Sequence, residues 1–233
     1  MVLGFCIVRC IRDAKHTELC YDAYTSIRKF YPNNHIMIID DNSTVEDLHE
    51  YDNITMIKSE HPGCGEVLAY YYFHKLRLFD EMVFIHDSMM INSVLDLHKT
   101  PLFLWNFTTH IWDDVPRVCR IIQDCKHKFQ LTQLMISQCW DGCFGICSYV
   151  TLEFIDTIER KYNFFSVLNH IKCRDDRCSM ERIWSIICHH HTGKRVIPTI
   201  CGNIFDHPDS FGPYNPTDPR LEKLPIIKRW MGR

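Results

Sequence analysis

The chain of 233 residues is long enough to bury a substantial core and short enough to form one large α/β domain. Hydrophobic residues make up 46% and charged residues 24%, and a net charge of −3 supplies no basic field, which argues against nucleic acid as a partner. No apolar run reaches the roughly 18 residues that span a bilayer, and the opening residues lack a basic segment followed by a long apolar core, so no membrane span and a cytoplasmic location are expected.

The predicted elements alternate. Residues 3–10 (LGFCIVRC) read as a strand, and residues 14–30 as a helix on the spacing of Leu19, Ala23 and Ile27. Tyr31-Pro32-Asn33-Asn34 breaks that helix. Residues 35–39 (HIMII) form a second strand ending in Asp40-Asp41-Asn42-Ser43, and residues 54–58 a third. Pro62-Gly63-Cys64-Gly65 precedes a helix over residues 66–79, and residues 82–85 (MVFI) form a strand that ends at His86-Asp87-Ser88. Strands alternating with helices imply βαβ units and a mainly parallel sheet flanked by helices.

The second half is less regular. A strand over 102–105, helices over 115–129 and 149–162, and an amphipathic helix opening at Arg174 are expected. From Pro198 onward Pro, Gly and Asp recur (Pro208, Gly212, Pro213, Pro216, Pro219), the composition of a long loop wrapping the surface. The whole chain thus reads as a single domain, with a ligand-binding half over 1–92 and a second half over 93–233.

Thirteen cysteines in an odd count, embedded in apolar runs and without a secretion signal, indicate reduced thiols. None shows the paired spacing of a structural zinc site, so a zinc-stabilised Cys/His module is the weakest reading.

In a parallel sheet, ligands bind beyond the carboxyl ends of the strands. Residues 9–12, 40–43 and 86–88 all fall at such ends and are expected to converge on one crevice. Asp40 and Asp41 can accept hydrogen bonds from a nucleobase or ribose, and equally can serve as turn and helix caps. His86 and Asp87 can present an imidazole and a carboxylate to a divalent ion on a diphosphate, with Ser88 beside them. Asp87 lacks an acidic neighbour two residues away, so a second ligand must come from elsewhere. His207 is the candidate, with His189, His190 and His191 as competitors. Trp140-Asp141-Gly142-Cys143-Phe144-Gly145 reads either as a sugar-binding wall or as a glycine turn beside a core Trp. Glu181 is a candidate general base or a charge paired with Arg177 or Arg182, and Asp141 is the other candidate base.

Four stretches carry a family resemblance: IIDDNS (38–43), GCGEVLAYYYFHKLRLFDEMVFIHDSMMI (63–91), WDGCFGICSYVTLEFI (140–155), and ERIWSII (181–187) with ICGNIF (200–205). In these the chain resembles the nucleotide-diphospho-sugar glycosyltransferases of the glycosyltransferase-A fold, especially small ones of large DNA viruses of algae and amoebae. The resemblance implies a Rossmann-like fold and transfer of a sugar from a nucleotide-sugar donor, a UDP-sugar, to a glycan or other hydroxyl acceptor in the host cytoplasm. It implies that Arg9, Cys10 and Asp40 or Asp41 hold the nucleoside, that Asp87 stands at the metal-binding Asp-x-Asp motif with Mn²⁺ or Mg²⁺, and that Asp141 or Glu181 activates the acceptor with inversion. The missing second carboxylate leaves one alternative, a catalytically reduced nucleotide-binding or interaction module on the same fold.

Overall fold

The computed structural model describes residues 1–195, 197–207 and 217–229. The sheet forms where apolar, β-branched residues run without alternation, the pattern of strands covered on both faces. β1 (Leu3–Arg9), β2 (Ile36–Asp40) and β4 (Glu81–His86) are of this kind, and β3 (Ile54–Lys58) closes one edge. Between them lie α1 (Ala14–Phe30), capped by the Asp13 carboxylate accepting from the His16 amide at 3.0 Å, and α2 (Val67–Leu76). Helix α2 stops three residues short of the predicted end because Arg77 takes a left-handed conformation (φ 50°).

The main sheet has the order β3-β2-β1-β4-β9-β6. Its first four strands are parallel, and β9 (Ser148–Thr151) and β6 (Leu102–Phe103) continue it in antiparallel pairings. The expected fold class, a mainly parallel sheet flanked by helices, is what the chain forms. Successive strands run outward from β1 to β3, and β4 then pairs with the opposite edge of β1. Right-handed crossovers therefore put α1 and α2 on opposite faces. Helix α1 packs on β1 and on β5 (Met89–Ile91), whereas α2 packs on α5 (Leu152–Tyr162). The register pairs Val8 with both Ile39 and His86, so β1, β2 and β4 end at one level.

The second half differs from its sequence reading in three places. The helix expected over 115–129 is two helices, α3 (Val115–Ile121) and α4 (Lys128–Ser137), broken where His127 turns left-handed (φ 61°) and the Lys126 amide donates to the Tyr162 carbonyl. The helix expected over 149–162 starts only at Leu152, because Tyr149 and Val150 pair with β4 and the Thr151 hydroxyl caps α5 by accepting from the Phe154 amide at 3.2 Å. The expected strand over 102–105 ends at Phe103. Asn106–Phe107 then forms β7 against β8 (Gly142–Cys143).

Helix α6 (Arg174–Thr192) runs through the core with Trp184 fully buried and stacked on Tyr70 at 4.5 Å. Glu181 accordingly lies two turns inside it and not near its start. Strand β10 (Ile226–Lys228) returns to pair with β5, setting Lys228 opposite Met89 just past the end of β4. The predicted wrapping loop over 208–216 lies outside the described residues. One cluster of buried side chains, from Phe5 to Ile226, joins both halves.

Thr151 decides the strand-to-helix boundary. Thr151→Ala is expected to lower the free energy of unfolding by about 1 kcal/mol in urea denaturation through loss of the cap. A helix that began before Tyr149 would show no such loss.

Candidate functional site

A cleft of about 560 Å³ opens where the strand order reverses between β1 and β4. Arg9 and Cys10 enter it from β1, Asp41 from β2, and His86, Asp87 and Ser88 from β4, so the three strand-end segments meet as expected. Its other walls come from Gly65 and Glu66 before α2, from Arg174, Arg177, Cys178, Glu181 and Arg182 on α6, and from Lys228 on β10.

Arg9 is 7% exposed and ties the first strand end to the chain beyond β2. Its guanidinium bonds Asp40 at 3.2 Å and forms a short ion pair with Asp47. Burial alone would raise the Asp47 pKa. Hydrogen bonds from the Tyr51 hydroxyl at 2.5 Å and from His49, with the Arg9 charge, outweigh it and hold the carboxyl below its ordinary range. Asp40 has its oxygens on Arg9 and on the Ser43 amide (2.9 Å) and stands off the cleft wall, as a turn cap.

Asp41 does line the cleft, yet its carboxylate holds a loop. It accepts from the amides of Gly63 at 2.5 Å and Gly65 at 2.8 Å, and burial raises its pKa in spite of both bonds. Gly65 is required here. Its φ is +60°, and a Cβ would lie 2.6 Å from Cδ of Arg177.

The end of β4 is joined to α6 through Gly145. The His86 Nε2 donates to the Gly145 carbonyl at 3.1 Å, and the Gly145 amide donates to Glu181 Oε1 at 2.7 Å. The neighbouring turn is anchored from below by the Tyr70 hydroxyl donating to the Ile146 carbonyl. With φ +57° and a Cβ position 2.5 Å from the His86 ring, residue 145 must be glycine. The glycine of this motif thus brings the backbone close to two side chains of the site.

Glu181 also pairs with Arg182 through Oε2 at 2.7 Å, and Arg182 is fixed by Asp113 at 3.2 Å and by the Phe107 ring beneath it at 4.5 Å. Burial is the largest influence on Glu181 and outweighs Arg182 and the Gly145 amide, raising its pKa to about 7. The result is a carboxyl that changes charge near neutrality in a cleft wall.

Several sequence expectations part from the cleft. Trp140 is fully buried, with its Nε1 donating to the Met135 carbonyl at 3.3 Å and its ring edge-on to His110, so it is a core Trp and not a sugar-binding wall. Asp141 is off the cleft wall; its backbone carbonyl accepts from Ser185, and its charge is felt by His189, two turns along α6 from Glu181. His207 is 5% exposed, edge-on to Trp105, and its Nε2 accepts from the Lys228 amide at 3.3 Å; it is not among the residues lining the cleft. His190 is bonded to the Tyr162 hydroxyl at 2.8 Å near the end of α6.

Other groups on the wall were not singled out in the sequence. Arg174 and Arg177, three apart at the opening of a predicted helix, carried a readable spacing. Lys228, from a three-residue strand, did not, and its ammonium donates to Ser88 Oγ. Phe107, Trp112, Phe144 and Phe205 supply an aromatic side, with Trp112 60% exposed at the mouth.

Among the described residues no group of three or more His, Cys, Asp or Glu side chains is placed to hold a metal ion, and no helix is long and apolar enough to cross a membrane. No family model and no curated protein matches the sequence. Solved structures that resemble it include a crystal structure of S. aureus TarS in complex with UDP, at 15% identity and a TM-score of 0.33, covering 40% of this chain and 29% of that one. A structure of an active-site mutant of LgtC is similar at 11% identity and a TM-score of 0.41, covering 96% of this chain and 86% of that one. Similarity at this level assigns no activity.

Asp41→Ala leaves the Gly63 and Gly65 amides without their acceptor. It is expected to cost about 2 kcal/mol of stability in urea denaturation and to speed hydrogen exchange at those two amides. Unchanged exchange there would remove the carboxylate from this role.

Proposed function

We propose that the chain transfers a sugar from a nucleoside diphosphate donor, a UDP-sugar, to a hydroxyl of a glycan or other small acceptor, with inversion at the anomeric carbon. The observation that carries this reading is Glu181, a carboxyl with its pKa raised to about 7 in the wall of a cleft at the reversal of a parallel sheet. Ligands of open α/β sheets bind at such a reversal. The sequence resemblance to nucleotide-sugar transferases supports the donor class, and the aromatic side with Trp112 at the mouth suits the apolar faces of a sugar ring.

In this reading the ionised Glu181 takes the proton of the acceptor hydroxyl while that oxygen attacks the anomeric carbon. The bond from that carbon to the diphosphate oxygen breaks, and its electron pair leaves with the nucleoside diphosphate. Arg182 and the Gly145 amide keep the carboxylate in one orientation throughout. Of the two carboxylates considered as base, Asp141 lacks access to the cleft, which leaves the role to Glu181.

The metal expected at Asp87 and His207 is not supported by the donor set. His207 Nε2 is already an acceptor for the Lys228 amide. Asp41 has both oxygens on loop amides. No step is therefore routed through a metal ion.

A raised carboxyl pKa means that Glu181 is protonated, and inert as a base, below about pH 7. Transfer from UDP-sugars is expected to rise with pH through an apparent pKa of about 7. Glu181→Gln is expected to lower kcat by about 10² to 10⁴ and to abolish that limb, with UDP affinity unchanged. Equal, background-level turnover by both proteins would contradict the transferase reading and favour a binding module.

A further inference from the structure

We infer that the diphosphate of the donor is neutralised by side-chain cations, Lys228 on the β4 side of the cleft and Arg177 with Arg174 on the β2 side, without a divalent metal ion. The inference rests on the sugar-transfer reading and specifies how its leaving group is held.

Three observations support it. Lys228 is 9% exposed, lines the cleft, and its ammonium donates to Ser88, the residue after Asp87. A cation thus stands on the same cleft wall, on the residue that follows the carboxylate expected to carry a metal, where it disfavours a divalent ion. The pairing of β10 with β5 holds it there, with Lys228 opposite Met89. Across the β1 end, Arg177 lies against Gly65, whose amide is held by Asp41 beyond β2. Arg174 is one helical turn earlier on α6 and also lines the cleft. Among the described residues neither guanidinium has a hydrogen bond or ion pair, in contrast to Arg9 and Arg182, which are each held by two carboxylates.

The third observation is the donor set itself. Around Asp87, Ser88 Oγ meets an ammonium and His207 Nε2 is filled by an amide proton. Hard divalent ions require several donors converging on one point, and among the described residues no group of three or more His, Cys, Asp or Glu side chains does so. As the glycosidic oxygen departs with its electron pair, the three cations lining the cleft compensate the new negative charge on the diphosphate. Lysine does so as a point charge and arginine through its planar donor fork.

The test is calorimetric titration of the full chain with UDP in excess EDTA and again with Mn²⁺. The expected result is binding in EDTA with an affinity that Mn²⁺ does not improve, and weakening as salt is raised. Lys228→Met and Arg177→Met are each expected to weaken UDP binding about tenfold or more, while Lys228→Arg restores most of it. Folding of each variant is checked by its urea midpoint; Arg177, half-buried, tests the inference even where Lys228→Met does not fold. Binding that appears only with Mn²⁺, or that is unaffected in a folded Arg177→Met, overturns the inference and leaves the donor site standing. Absence of UDP binding under both conditions overturns the donor site and the inference with it.

Discussion

The constraint on which the rest of this structure depends is the reversal of strand order between β1 and β4. Because parallel crossovers are right-handed, the reversal sends α1 and α2 to opposite faces and leaves the carboxyl end of β1 without a covering helix. The register then brings β1, β2 and β4 to a common level, so side chains distant in sequence leave the sheet side by side. Two polar clamps keep that opening in shape. Arg9 ties Asp40 and Asp47 to the first strand, and Asp41 ties the Gly63–Gly65 loop to the second. Arg9 and Asp41, at the centre of each, are buried, so losing a partner leaves them unsatisfied in a poorly solvated place.

Glu181 sits in tension between opposing effects. Burial disfavours its charge, whereas Arg182 and the Gly145 amide favour it, and the balance settles near neutrality. The Glu66 carboxylate, on the same cleft wall, adds to burial in raising the Glu181 pKa. The positive φ of Gly145 allows one residue to touch His86 with its carbonyl and Glu181 with its amide. The end of the sheet and the core helix are thereby coupled through a single residue.

Much of the first half was legible in the sequence because strands and helices there alternate with clear breaks, and because polar residues follow apolar runs at Arg9, Asp40 and His86. The second half hid its boundaries for a physical reason. Tyr149-Val150-Thr151 lies next to an amphipathic helix, and nothing local shows that β4 is waiting to pair with it. In the site, residue type and strand-end position were readable, but side-chain direction was not. Trp140 and Asp141 occupy a motif rich in glycine, yet the ring turns into the core and the carboxylate off the cleft. Lys228 reaches Ser88 across 140 positions of chain, a pairing that no local spacing announces.

The central claim is that a nucleotide occupies the opening left by the strand reversal. Hydrogen–deuterium exchange of the chain with and without saturating UDP tests it most directly. The account predicts slowed exchange confined to the segments after β1, β2 and β4, the Gly63–Gly65 loop and the opening turns of α6. Exchange unchanged in all of these, or slowed only around the exposed edge at β3, would contradict it.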